Sequence, residues 1–409
     1  IQAFVVTTPN LAIDRLPNEA PFCPALKAPR GKTVQVKAGD VEGLLWATKS
    51  GAHGSTVLLE DGIYKLGGGQ TVEIAVPGLV LRSQSGRRDA VVIEGGYNNI
   101  TVNVNGVILA NVTLRAAREH SVQIRGEMGA SHMQVYNVHA LDAGQQLIKL
   151  STGDTGSGPY GDHGLVACSL IEYSTYSKGS DRSPPSYTNG IDLLAGKGWV
   201  IRDNVFRRIR SEVGPAGPAI LVWKNAQDTV IVRNLIVDSW RGIALGLAPA
   251  DAYSRGGAST PFDHQNGLVA NNVILAIAEP GDAAIENNYA ANSRVLHNTV
   301  FYREGLKHAV HWSIEYRFAP TTAVIRNNLT NLPILKREPL PARDATMASN
   351  LTNAVPEWFA NLMGEDARLV AGAQAIDRGV PDSEGDRDFV GNMRRIGAAP
   401  DIGAYEYDR

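Results

Sequence analysis

Cysteine is scarce in this sequence: only Cys23 and Cys168 occur among 409 residues, which is too few for a cysteine-based metal site. No uncharged apolar run reaches the roughly 18 residues that a membrane span needs. An excess of one charge is also missing, because 39 basic residues face 41 acidic ones for a net charge of −2. This balance removes any sequence-wide case for binding nucleic acid or an anionic membrane.

Two common enzyme motifs are absent as well. The sequence has no glycine-rich phosphate loop between a strand and a helix and no Gly-x-Ser-x-Gly elbow, which excludes nucleotide-binding and serine-hydrolase classes.

Cys168 lies in the apolar run 164–171, which favours a buried free thiol over pairing with Cys23. The chain starts at Ile1, so we expect a mature protein whose targeting segment was removed, and a secreted or periplasmic location.

A short pattern recurs along the chain: an apolar pair, one or two polar residues, Asn, and two apolar or β-branched residues. Copies follow one another at intervals of 26 to 38 residues. The Asn position is occupied by Asn111, Asn137, Ser169, Asn204, Asn234, Asn272, Asn298 and Asn328. We predict that these asparagines stack in one column, where their amides bond to the backbone of neighbouring coils.

Each interval also contains a second strand-like segment with no helical period beside it. Two or three short strands per repeat and many β-branched residues are typical of a parallel β-helix. We therefore predict an all-β chain, a right-handed parallel β-helix with a short N-terminal helical cap. The predicted parts are residues 1–53 as extension and cap, 54–350 as the β-helix, and 351–409 as a C-terminal capping segment.

The ends of the chain support this fold by resemblance. The segment 56–64, followed by Val72-Glu-Ile and Val80-Leu, resembles the opening of many secreted right-handed β-helix proteins. Residues 400–407 resemble the sequence that closes such chains. Residues 40–50 have helical spacing and are expected to cover the open first coil. Residues 355–365 are a second candidate cover.

Three long insertions, 151–162, 172–189 and 247–266, interrupt the repeats, and we expect them to form the walls of a cleft. They would bring Arg182, Tyr187, Asp263 and His264 to the site. The alternative is that they are tolerated surface loops, because long loops cost little closure entropy.

Alignment of the second strands places five residues at one position on successive coils: Asp192, Leu221, Ala244, Glu286 and Glu315. Two residues further on lie Leu194, Trp223, Gly246, Asn288 and Arg317. A slip of one residue would turn all of them to the other face.

The aligned face has the components of a sugar site: an aromatic ring, two carboxylates and a guanidinium. Glu286 and Glu315 could act as the acid and nucleophile of a glycosidase, or hold calcium. The alternative is an exposed acid pair balanced by Arg317. No cofactor is firmly predicted, and calcium is the one candidate.

The context of Lys224, residues 219–236, resembles the strand–Lys–Ser–turn–Asn coil of the chondroitinase B and alginate lyase family of β-helix polysaccharide lyases. In that family the lysine removes the proton α to a uronate carboxyl. The resemblance implies the same role for Lys224. The family's Arg-His-Gly sequence one coil later is replaced here by residues 242–247, and Arg241 is displaced to the start of the strand. Arg241, Arg317 or His264 would then take the arginine's role. The alternative for Lys224 is a solvated turn lysine.

The histidines carry weaker signals. Asp263-His264 begins a coil after a long loop, where either a catalytic base or a turn-capping pair fits. His311, three residues from His308 and near Glu315, is a candidate substrate contact. Metal binding by the two histidines is disfavoured, because i and i+3 on a strand face opposite sides.

Three functions follow from these patterns. The first is cleavage of an acidic, uronate-containing polysaccharide by β-elimination, or the related uronate epimerisation. The others are a glycoside hydrolase using Glu286 and Glu315, and a carbohydrate-binding surface protein without catalysis. The catalytic candidates are Lys224, Arg241, His264, Arg317, Glu286 and Glu315; the substrate-binding candidates are Trp223, Asp192, Arg182, Tyr187, Asp263 and His311. No metal ligands are assigned, and the expected partner is a poly- or oligosaccharide, with the oligomeric state left open.

Overall fold

Three long parallel sheets wind around one axis in the computed structural model, which describes residues 13–15, 23–29, 31–337, 343–382, 384, 387–394 and 397–408. Each coil contributes one strand to sheet 1, then to sheet 2, then to sheet 3. Inward residues such as Ile191, Leu193 and Ile220 stack into one continuous apolar core. The predicted β-helix is confirmed.

The strands follow chain order within each sheet. Sheet 1 contains Thr33–Val36, Thr56–Leu59, Val80–Ser83, Ile108–Ala110, Gln134–Tyr136, Leu165–Ala167, Val200–Arg202, Val230–Val232, Leu268–Ala270, Ser293–Leu296, Ala323–Arg326 and Thr346–Ala348. Sheet 2 contains Gly62–Leu66, Val91–Gly95, Thr113–Arg115, His139–Leu141, Leu170–Glu172, Val205–Arg207, Leu235–Val237, Val273–Ala276, Thr299–Tyr302 and Leu329–Thr330. Sheet 3 contains Val72–Ile74, Ile100–Val102, Val122–Arg125, Ile148–Ser151, Ile191–Leu194, Pro218–Trp223, Arg241–Leu245, Ile285–Asn288, Ile314–Arg317 and Ile334–Arg337.

Smaller elements decorate the solenoid. The turns that connect sheet 3 to sheet 1 carry the short parallel strands Ala226–Gln227, His264–Gln265 and Ala290–Ala291. Antiparallel pairs are formed by Ile13–Arg15 with Pro24–Leu26 and by Phe359–Asn361 with Asp366–Leu369. Single 3₁₀ turns lie at Gly126–Met128, Gly257–Ser259, Pro356–Trp358 and Leu362–Gly364.

The N-terminal helix Val41–Ser50 covers the first coil, as predicted. Asp40 caps it by accepting a hydrogen bond from the Gly43 N–H at 2.8 Å, and its Leu44 and Ala47 enter the core. The solenoid starts before this helix, however, because Thr33–Val36 already pairs with Thr56–Leu59, upstream of the predicted boundary at residue 54. No helix in the described part of the chain is long and apolar enough to cross a membrane.

The asparagine column is confirmed for most of its predicted members and corrected for two. Asn204, Asn234, Asn272, Asn298 and Asn328 form a buried ladder in which each amide donates to the side-chain oxygen of the next at 2.9–3.0 Å. Ser169 begins it and Asn350, which we had not predicted, ends it. Asn111 and Asn137 lie one residue earlier, at a turn position with positive φ, and bond to each other.

The two cysteines form a disulfide, so the prediction of a free thiol at Cys168 is wrong. Their Cα atoms are 5.5 Å apart. The bond joins the segment 23–29 to the outer face of sheet 1, where Cys23 packs with Ala110, Tyr136 and Ala167. The apolar run that suggested a buried thiol is instead the surface that this segment covers.

The C-terminal segment packs along the outside of sheet 2 instead of lying across the end of the solenoid. Trp358, Phe359 and Leu362, the predicted cover, are buried against outward residues such as Val273 and Leu275. An ion pair between Glu365 and Arg207 holds the segment several coils back along the solenoid. These outward positions are apolar because they are covered.

Candidate functional site

The outward face of sheet 3 has the predicted register. Asp192 pairs with Leu221, Leu221 with Ala244, Ala244 with Glu286, and Glu286 with Glu315. Lys149 precedes Asp192 in the same column. The seven strands that carry residues 149 to 337 make six steps of about 4.8 Å, so this face is about 29 Å long, enough for several sugar residues.

The three long loops border this face on opposite sides. Loops 152–164 and 246–263 leave the ends of sheet 3 strands, whereas loop 173–190 enters at the start of one. The first two loops contact each other: the Arg255 guanidinium lies 3.8 Å from the centre of the Tyr160 ring and pairs with Asp162. All strands of sheet 3 run in one direction, so the first two loops lie along one edge of this face and the third lies along the opposite edge. The face between them is the floor of a cleft.

One set of side chains crosses this floor from wall to wall; we call it the lysine cluster, Lys149, Tyr187, Asp192, Trp223, Lys224 and Asp251. The buried Asp192 pairs with Lys149 and accepts a hydrogen bond from Trp223 Nε1 at 2.8 Å. Burial alone would lower the pKa of Lys149, but Asp192 and Tyr187 more than offset it, so that pKa is raised. Lys149 is therefore a fixed positive charge beside Tyr187.

Lys224 stands at the other end of the cluster. Its Nζ lies 4.4 Å from the centre of the Trp223 ring and pairs with Asp251 of the loop 246–263. Its side chain is about one-tenth exposed, so the alternative of a solvated turn lysine does not hold. The backbone at Lys224 has φ +62°, and its N–H donates to Asp263 Oδ1 at 2.8 Å.

Asp263 is fully buried and stabilises the turn at Lys224 through hydrogen bonds to backbone N–H groups. Its other oxygen accepts hydrogen bonds from the N–H groups of Leu247 at 2.7 Å and Ala248 at 3.1 Å. We had predicted it to contact substrate; the structure makes it the residue that positions Lys224 and the start of the loop 246–263.

A second set, the arginine–glutamate cluster, follows along the same face: Arg241, Glu286, Trp312, Glu315, Arg317 and Arg337. Glu286 is 5% exposed and Glu315 is fully buried, so the alternative of an exposed acid pair does not hold. Glu315 accepts hydrogen bonds from Trp312 Nε1 at 2.7 Å and from Arg337 at 3.0 Å. These side chains come from a loop and from the next coil, and they cover the Glu315 carboxylate.

Burial raises the pKa of Glu286 to about 7. Arg241, 3.4 Å away, counteracts this shift in part, and the nearby Glu315 adds to it. Arg241 also pairs with Asp282 at 2.9 Å. Glu286 is consequently a carboxyl that takes up and releases a proton near neutral pH.

The remaining predicted residues lie outside these clusters. His264 is fully buried, bonds to Thr229 Oγ1 at 3.1 Å through Nε2, and has a pKa lowered to about 3 by burial, so it cannot reach a polysaccharide in the cleft. Arg182 donates a hydrogen bond to Tyr97 Oη at 2.7 Å. Tyr97 lies several coils before the coil of Lys224, so Arg182 is outside the lysine cluster. His311 is exposed in the loop before Ile314–Arg317.

Four members of the clusters were not among the predicted site residues, although one of them, Asp251, lies in a predicted wall loop: Lys149, Asp251, Trp312 and Arg337. Lys149 had a usable signal, because the segment 146–150 aligns with the strand of Asp192 and puts the lysine in the same column. Asp251 and Trp312 lie in loops, and the repeat pattern predicts the positions of strand residues only. Arg337 follows from extending the alignment by one coil beyond Arg317.

No three His, Cys, Asp or Glu side chains of the described residues group in a way that could hold a metal ion. Glu286 and Glu315, the candidate calcium ligands, are engaged by Arg241 and Arg337. Their geometry therefore does not favour calcium at this pair.

The chain matches no protein-family model and no curated protein sequence. It is similar in structure to pectate lyase Pel9A, with a TM-score of 0.63 at 16% identity over 88% of this chain and 90% of that one. A rhamnogalacturonan lyase aligns with a TM-score of 0.54 at 11% identity over 90% of this chain and 95% of that one. The chain therefore has the right-handed parallel β-helix fold that these polysaccharide lyases share.

Proposed function

We propose that the protein cleaves an acidic, uronate-containing polysaccharide by β-elimination in the cleft over sheet 3. The lysine cluster carries this proposal, because it places an amine, an aromatic ring and a second cation on one walled floor. The fold shared with two polysaccharide lyases supports the same reaction class.

Elimination requires a base for the proton α to the carboxylate and positive charge to stabilise the carboxylate as it gains electron density. We assign the base to Lys224, whose Nζ accepts the C5 proton. The C4–C5 double bond forms, the C4–O bond breaks, and the leaving oxygen takes a proton from water, while Lys224 later gives up the C5 proton to solvent. Lys149 and the arginines of the second cluster supply positive charge on the same face.

Trp223 is assigned to substrate binding. Its ring is partly exposed on the cleft floor and is held in place by the hydrogen bond to Asp192. An aromatic plate fixed in this way suits the apolar face of a sugar ring. Trp223→Ala should raise KM about tenfold while changing kcat less.

The test is product chemistry. The wild-type protein is incubated with polygalacturonate, alginate and a neutral glucan, and both absorbance from unsaturated ends and reducing ends are followed. Elimination produces both signals together, whereas hydrolysis produces reducing ends without unsaturation. Repeating the assay with calcium and with a chelator tests the calcium candidate.

A glycoside hydrolase using Glu286 and Glu315 is the second candidate. The observation that favours it is the raised pKa of Glu286, since a general acid must be protonated near the working pH. Burial of both carboxylates weighs against it. Reducing ends without unsaturation, lost in Glu286→Gln, would establish the hydrolase.

We also propose that the protein works in a secreted or periplasmic compartment. The Cys23–Cys168 disulfide supports this location, because such bonds persist in oxidising environments. The mass of the protein isolated under non-reducing conditions from fractions of its native host tests the proposal.

A further inference from the structure

A pocket of about 340 Å³ lies behind the wall loop 173–190, and none of its lining residues belongs to either cluster of the cleft. Its floor is formed by the turns that connect sheet 2 to sheet 3, around residues 116–118 and 142–144. Its outer side is the first half of the wall loop, residues 173–180. This volume is in the range of pockets that hold small ligands.

The pocket is preformed. The loop is tied at Tyr173, whose hydroxyl donates to the Gln145 carbonyl at 2.6 Å, and at Ser177, whose N–H donates to the Arg210 carbonyl at 2.8 Å. Gly144 allows the close approach of the turn, because a Cβ there would lie 2.1 Å from the Arg118 carbonyl oxygen. A ligand would therefore need to order little of the protein on binding.

The lining combines an aromatic ring with charged groups. Tyr176 is 41% exposed and lines the pocket. The exposed Lys178 has no ion-pair partner among the described residues, whereas Arg118 is held by Asp181. One oxygen of Asp142 accepts a hydrogen bond from the Ser174 N–H at 2.8 Å, which leaves its other oxygen for a ligand hydroxyl.

We propose that this pocket is a second glycan-binding site that holds a uronate residue of the polysaccharide outside the cleft. Tyr176 stacks on the sugar ring, Lys178 pairs with its carboxylate, and Asp142 accepts from a hydroxyl. The identity of the ligand rests on the proposed function, but binding at the pocket is independent of catalysis. The site would keep a long polymer near the cleft through the gain in local concentration.

The test is affinity electrophoresis in native gels that contain polygalacturonate, alginate or a neutral glucan. The variant Tyr176→Ala/Lys178→Ala is compared with Trp46→Ala/Lys49→Ala, which removes an aromatic side chain, 61% exposed, and a lysine from the N-terminal helix. Both are made on a Trp223→Ala background, so that binding in the cleft is already weakened. Unchanged thermal unfolding confirms that each variant folds.

We expect the pocket variant to bind the acidic polymers at least fivefold more weakly and the control to bind as its parent. Cleavage of a short uronate oligosaccharide should be unchanged on the wild-type background, while cleavage of the polymer slows. Equal retardation of both variants in the acidic gels would overturn the proposal, and loss confined to the neutral glucan would overturn the uronate assignment. If no substrate shows unsaturated ends but the pocket variant still loses retardation, the elimination reaction has failed and the pocket stands.

Discussion

Burial by neighbouring side chains sets the protonation of Glu286. Arg241 arrives from the preceding coil, and Asn288 donates to the Glu286 carboxylate at 3.1 Å from the same strand. Neither contact fully replaces the lost water, so the pKa rises from 4.5 to about 7. The free energy of unfolding must then depend on pH through this residue.

The folded protein keeps a proton on Glu286 between about pH 4.5 and 7, where the unfolded chain releases it. Stability therefore falls as the pH rises through this window, by about 3 kcal/mol for a shift of this size. Glu286→Gln should lose about 3 kcal/mol less than the wild type between pH 5 and pH 8, as measured by urea unfolding. The surface variant Glu73→Gln is the control, and a Glu286→Gln curve parallel to the wild type would disprove the shift.

At the scale of elements, the asparagine ladder adds a chain of buried side-chain hydrogen bonds to the strand pairing and core packing that join successive coils. Asn272 donates to the carbonyls of Ile231 and Ala270 at 3.0 and 3.2 Å and accepts from the Asn234 N–H at 3.0 Å. If the Asn272 side chain were removed, each of these groups would lose its hydrogen-bond partner. Because the position is buried, water would not replace that partner.

We expect Asn272→Ala to lower the free energy of unfolding by about 3 to 5 kcal/mol, since several buried groups become unsatisfied. The matched control is Asn292→Gly, in an exposed ladder at another turn, where φ is +54° and glycine is unstrained. That variant should change stability by less than about 1 kcal/mol. Similar losses in both would mean that the buried ladder contributes nothing particular.

The disulfide fixes a second element, the N-terminal segment. It closes a stretch of 145 residues and holds residues 23–29 on sheet 1. Cys23→Ser/Cys168→Ser should cost about 2 to 5 kcal/mol and expose the segment to proteases. Limited proteolysis followed by mass spectrometry measures the cleavage rate near residues 23–29; a rate equal to that of the wild type would contradict the tether.

For the whole molecule, periodicity was sufficient to predict the solenoid, its helical cap and the register of sheet 3. Burial of Glu315 could not be predicted, because the residues that cover it, Trp312 and Arg337, come from a loop and the last coil. The disulfide was missed for a related reason: strand repeats do not show where the segment 23–29 lies. Contacts between coils follow from spacing, whereas contacts made by loops and chain ends do not.

The central claim is that elimination takes place at Lys224, and the rate at which Lys224→Ala forms unsaturated ends tests it most directly. Loss of a general base should slow this rate by about a thousandfold, with polysaccharide binding changed less than threefold. The control is Lys197→Ala, a more exposed lysine whose Nζ lies 3.6 Å from Asp228 at a neighbouring turn, and it should retain the wild-type rate. A wild-type rate in Lys224→Ala would contradict the account.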